Sequence, residues 1–146
     1  MNNVMLSVLI LVLSLGCTKS EDDFYVRKKR ILGDWICKTS EVKSVNGLIV
    51  NTVTSELNLT FEDEERVYSS SNAVPGAVTQ HTWYYQLDPE KVIIQYEPIG
   101  FLIKPNNYFS VTKNEQNNQL WEEIIYAVTP TGDDIETHIT WNLTRN

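Results

Sequence analysis

Two cysteines and two histidines are all that this 146-residue chain holds for soft-metal or thiol chemistry. No His-x-x-x-His or Cys-x-x-Cys occurs, so the spacings that build zinc sites are missing. Glycine-rich phosphate loops and the Gly-x-Ser-x-Gly elbow are missing too. On those grounds the chain reads as a non-enzyme that needs no cofactor and no metal. Basic residues are also scarce: 12 Lys and Arg face 19 Asp and Glu, a net charge of -7. That balance repels phosphate backbones and excludes nucleic acid as a partner. Beyond Asp34 no helical period of useful length remains, which excludes α and α/β architectures. Only one long apolar run exists, and it lies at the N-terminus.

Residues Met1 to Gly16 carry no charged side chain, and Val4 to Leu15 is a nearly continuous run of Val, Met, Leu and Ile. It is shorter than the about 20 residues a membrane-spanning helix needs and reads as the apolar part of a secretory signal. Its end, Leu13-Ser14-Leu15-Gly16-Cys17, resembles the lipobox of bacterial lipoproteins. The resemblance implies that residues 1–16 are a signal peptide cut before Cys17. It also implies that the Cys17 thiol carries diacylglycerol and that its new amine takes a further acyl chain such as palmitate. At about 0.8 kcal/mol per buried CH₂, such chains anchor a protein almost permanently. Ser20-Glu21-Asp22-Asp23 resembles the signal that sends some lipoproteins to the outer face of the outer membrane. A solvated acidic tether, leaving the protein on the periplasmic leaflet, is the alternative. Residues 17–30 are then a lipidated tether and short helix, with Ser20 as cap, acidic residues at its positive end and Arg27-Lys28-Lys29-Arg30 at its negative end. Anionic head groups are a second destination for that basic quartet. Phe24, Ile31 and Leu32 supply the helix's apolar face and Gly33 ends it. With Cys17 so used, Cys37 is left as a small core hydrophobe.

Residues 31–146 read as one all-β domain. Asn46-Gly47 is a hairpin turn between Trp35–Val45 and Leu48–Val53. Leu57, Leu59 and Phe61 alternate with Glu56, Asn58, Thr60 and Glu62, which marks one core face and one wet face. Ser69 to Gly76 reads as a loop, followed by a strand with His81, Trp83 and Tyr85 on one side. Strands follow at Val92–Tyr96, Tyr108–Thr112, Leu120–Val128 and about Ile139–Arg145, separated by polar turns. Asp133, Asp134 and Glu136 offer a weak calcium arrangement, although a solvated turn explains them equally well. Phe101-Leu102-Ile103 lies on an irregular stretch and is either a lid, a partner contact or a further strand.

Eight or so hairpin-linked strands with alternating faces imply an antiparallel meander that closes into a barrel. Gly33-x-Trp35 after a short helix, with Arg145 on the last strand, resembles lipocalins. That resemblance implies a barrel-closing pair in which Arg145 lies over the Trp35 ring. The candidate barrel lining is Leu57, Leu59, Phe61, Trp83, Tyr85, Ile94, Tyr96 and Trp141, an apolar wall suited to a small hydrophobic or amphipathic ligand. Plain core packing accounts for the same residues. Two functions follow: a membrane-anchored ligand-binding barrel at the cell surface, or an accessory lipoprotein with a filled barrel that presents its surface to a protein partner.

Overall fold

The computed structural model describes residues 19–71, 76–87, 89–96 and 105–146, with side chains from Phe24 onward. Cys17, the signal segment and Phe101-Leu102-Ile103 lie outside the described residues. Helix α1, Lys19–Ile31, leads into strands β1 Gly33–Val45, β2 Leu48–Phe61, β3 Arg66–Ser71, β4 Val78–Gln86, β5 Lys91–Gln95, β6 Asn107–Asn114, β7 Asn118–Val128 and β8 Asp134–Arg145. Each strand pairs with its neighbour in sequence and β8 pairs antiparallel with β1, so the meander closes. This is the all-β, eight-stranded, lipocalin-like barrel with a preceding short helix that the alternation and turn signals predict.

Three details differ from the sequence reading. Helix α1 begins at Lys19, so Ser20 falls within it and not ahead of it. Leu48–Val53 and Leu57–Phe61 form one strand, β2. No Gly or Pro interrupts Asn51–Glu56, so the pleat runs straight through. The serine-rich segment expected as loop instead begins as β3, where Ser69, Ser70 and Ser71 pair with Leu59, Asn58 and Leu57.

The helix plugs one end of the barrel. Ile31 is fully buried, and Phe24 and Leu32 pack against the same core. The Phe24 ring meets Tyr85 at 5.8 Å. Three of the four basic residues of α1 turn toward the barrel's base loops, whereas Lys29 lies over the Tyr25 ring at 4.3 Å. Arg27 pairs with Glu90 at 3.0 Å, Lys28 approaches Glu65 at 4.0 Å and Arg30 donates to the Asn114 carbonyl at 3.1 Å. Leu32 N–H closes the helix by donating to the Lys29 carbonyl, and Gly33 then takes φ +103° to start β1. A side chain there is excluded twice: its Cβ would stand 2.6 Å from the Arg145 guanidinium, and L-residues rarely adopt that φ.

Above the helix, the lower barrel is solid. Phe61 meets Trp83 and Trp121 edge-on at 5.4 and 5.5 Å, and Phe109 joins Trp121 to Trp141. Edge-to-face pairs at these distances are favourable beyond their buried area. Each base indole also has a place for its N–H: Trp35 on the Ile31 carbonyl at 2.6 Å, Trp83 on the Glu62 carbonyl at 3.2 Å, Trp121 on Gln119 at 3.5 Å. Fully buried Gln119 is satisfied in turn by Asn114 and the Glu115 carbonyl. A carboxylate-centred cluster then links α1 to two base turns, since Glu90 accepts from Arg27, Tyr85 and Asn114.

Candidate functional site

The base closure is built around Arg145. Its guanidinium lies 4.3 Å from the Trp35 ring centroid and donates to the carbonyls of Leu32, Arg30 and Gln116. One planar fork therefore fixes the helix exit, the β6–β7 turn and the indole beneath it, a geometry lysine cannot copy. Cys37 sits fully buried one inward position above Trp35, and burial pushes its thiol well above the ordinary range, which keeps it an unreactive core group.

At the opposite end, the described residues leave the interior unfilled. Strands β1, β2, β7 and β8 run 13, 14, 11 and 12 residues, whereas β3, β4, β5 and β6 run 6, 9, 5 and 8. Inside the upper barrel is a cavity of about 120 Å³ against Leu57, Leu59, Val67, Ser69, His81, Ile94, Tyr96 and Trp141. A wider vestibule of about 360 Å³ shares Leu57, Tyr96 and Trp141 with it and extends to Thr39, Glu41, Val53, Ser55, Pro105, Asn107, Ile125 and Ile139. Trp141 is the floor between the solid base and this opening.

Five candidate lining residues, Leu57, Leu59, Ile94, Tyr96 and Trp141, are thus brought together at the inner cavity. Phe61, Trp83 and Tyr85 are not: they lie deeper, in the packed base, with Tyr85 under the helix. Period-two alternation assigns these three to the inner face correctly but carries no depth. Depth is decided by which end α1 plugs.

The sequence reading missed the polar side of the mouth. Tyr96 Oη donates to Asn107 Oδ1 at 2.7 Å, Asn107 Nδ2 donates to one Glu123 oxygen, and the Tyr108 amide donates to the other at 2.9 Å. Burial, reinforced by the negative charge of Glu123, pushes the Tyr96 hydroxyl above its usual range, so it stays protonated and donating. His81 stacks edge-on to Tyr96 at 4.8 Å, with Ser69 Oγ 3.4 Å from its Nε2. Glu41, Ile139 and Glu123 occupy one rung across β1, β8 and β7. A signal for Glu123 was present: it shares parity with Trp121, as a charge on an otherwise core-facing row. The apolar wall and polar rim suit an amphipathic small molecule in shape and chemistry. Asp133, by contrast, receives hydrogen bonds from Asn46, Thr129 and Thr131, which hold its carboxylate below the usual range and use it to join two hairpin tips.

Neither a family profile nor a curated protein matches the sequence. Among solved structures, an S-type phycobiliprotein lyase from Guillardia theta is similar over 90% of this chain and 94% of its own, at 13% identity and a TM-score of 0.37. The expectation that the chain is not an enzyme is corrected here: the solved protein of this likeness is a lyase, so that expectation is not kept. Missing sequence motifs do not exclude catalysis in such a barrel. At this TM-score the likeness assigns no activity to the present chain.

Proposed function

We propose that the protein is a lipid-anchored barrel that holds a small apolar or amphipathic molecule in its open half. One observation carries this reading: the inner cavity and the vestibule share Leu57, Tyr96 and Trp141 as a common wall, above a base that is already filled. The aromatic and aliphatic wall takes the apolar part of the ligand, and the Tyr96–Asn107–Glu123 chain meets its polar end. The anchor is Cys17, and the acidic residues after it send the protein to the outer face of the outer membrane; if they are only a solvated tether, it stays on the periplasmic leaflet.

Native mass spectrometry of the full chain, extracted from its source membrane in mild detergent, tests both parts. The expected spectrum shows the acyl mass on Cys17 and a further non-covalent small molecule that is lost on collisional activation. A chain of unmodified mass with residues 1–16 still attached rejects the anchor. A lipidated chain that never carries a small molecule, and takes up none from a panel of amphiphiles, rejects the ligand. The accessory reading, in which the barrel surface meets a protein, has its own support in exposed apolar residues on β2.

A further inference from the structure

Hydrogen bonds beside the vestibule run in one direction. The Tyr96 hydroxyl donates to Asn107 Oδ1, and Asn107 Nδ2 and the Tyr108 amide both donate to Glu123. The Thr39 and Ser55 hydroxyls bond each other at 2.6 Å, with the Ser55 carbonyl 3.4 Å from Thr39 Oγ1. These protons all end on acceptors of the chain itself, whereas an ionised carboxylate that accepts two hydrogen bonds keeps lone pairs to spare. Glu41 lines the vestibule, and Glu123 stands on the same rung beyond Ile139, bonded to the lining residue Asn107. Among the described residues no ion pair joins either carboxylate to a Lys, Arg or His. Neither cavity is lined by a described Lys or Arg. Lys43 lies on the next inward rung, level with Thr137 and Ile125. His81 borders the inner cavity and not the vestibule, edge-on to Tyr96.

On the premise that this site holds an amphiphile, we propose that the ligand's head is cationic, an ammonium lodged in the vestibule beside Glu41 and Glu123 with its apolar tail in the inner cavity. An anionic head placed there meets charge of its own sign, and the donors it needs are already bonded elsewhere. An ammonium instead meets two carboxylates with no described cation paired to them. The half-buried Glu123 counts for more than the exposed Glu41, because salt screens it less. The rings of Tyr96 and Trp141 border both cavities and add attraction for a cation. The charge of Glu123 already reaches this wall: after burial, it is the next cause that holds the Tyr96 hydroxyl above its usual range. A net charge of -7 draws cations toward the chain from farther out. Leu57, Leu59, Val67 and Ile94 leave the inner cavity suited to an alkyl tail.

Three short probes that stay in water, hexylammonium, 1-hexanol and hexanoate, test the head group on the full chain in non-ionic detergent. Binding is read from the chemical shift of the Trp141 indole at about pH 7, where the amine is protonated and the acid ionised. Hexylammonium is expected to bind about tenfold more tightly than hexanol, and hexanoate more weakly than hexanol. The ammonium-to-hexanol ratio is expected to fall to about one in Glu41→Gln/Glu123→Gln, with an unchanged near-ultraviolet circular dichroism spectrum, and to shrink with added salt. Glu41→Gln alone, at an exposed position, is expected to lower the ratio part of the way and serves if the double variant does not fold. Equal affinity for the three probes, a preference for hexanoate, or an ammonium preference that survives both substitutions overturns the cationic head while leaving the cavity reading intact. No shift with any probe overturns the cavity reading and the cationic head with it.

Discussion

Arg145 shows how much one side chain settles here. Three carbonyls and an indole face depend on it, so Arg145→Met leaves two part-buried acceptors unpaired, strips the indole of its cation, and is expected to cost about 3 kcal/mol in urea unfolding. Arg145→Lys, with one ammonium in place of a fork, is expected to recover less than half of that loss. Gly33→Ala strains a φ that only glycine takes easily and pushes on the same guanidinium, an expected cost of about 2 kcal/mol by the same measurement. Both residues were legible in the sequence only through the resemblance to lipocalins, which implied that Arg145 lies over Trp35. At the other end, Asn46 donates to Asp133 and accepts from the Asp134 amide. The fold lowers the Asp133 pKa, so this tie is complete above the ordinary carboxylate range and is lost as pH falls through the lowered value. Asn46→Ala is expected to move the Asp133 titration upward, read by carboxyl-carbon NMR. That partnership was not legible, since Asn46 and Asp133 sit in turns far apart in sequence.

Among the elements, α1 is the one whose role the sequence only half revealed. Its apolar face was visible in Phe24, Ile31 and Leu32, but the destination of Arg27 and Arg30 depends on loops that only the closed barrel brings near. Ile31→Ala opens a cavity against the fully buried core and is expected to destabilise the whole domain by about 3 kcal/mol. Glu90→Gln removes the charge that Arg27, Tyr85 and Asn114 share and is expected to act more locally. Its signature is faster amide exchange in α1, with the strands still protected. Strand parity was legible almost throughout: Trp83, Tyr85, Trp141 and Leu143 face inward where alternation puts them. Strand length was not. β2 runs unbroken from Leu48 to Phe61 along β1, and no local signal joins its two halves into one strand.

At the scale of the molecule, the described residues pack solidly below Trp141 and leave cavities above it. That division gives the two halves separate tasks, with stability in the aromatic base and recognition in the mouth. It also explains why the sequence pointed to one lining where the structure has two zones, since every candidate residue faces the same interior. Tryptophan emission separates the zones. Trp83 and Trp121 are fully buried and Trp35 is 1% exposed, all in the base, whereas Trp141 borders both cavities. Titration with a bromine-tailed amphiphile below its micellar concentration, in the native chain and in Trp141→Phe, is the most direct measurement. The predicted result is saturable quenching of one emission component that disappears in Trp141→Phe. Quenching that persists without Trp141, or a native chain that shows none, contradicts a ligand in the open half.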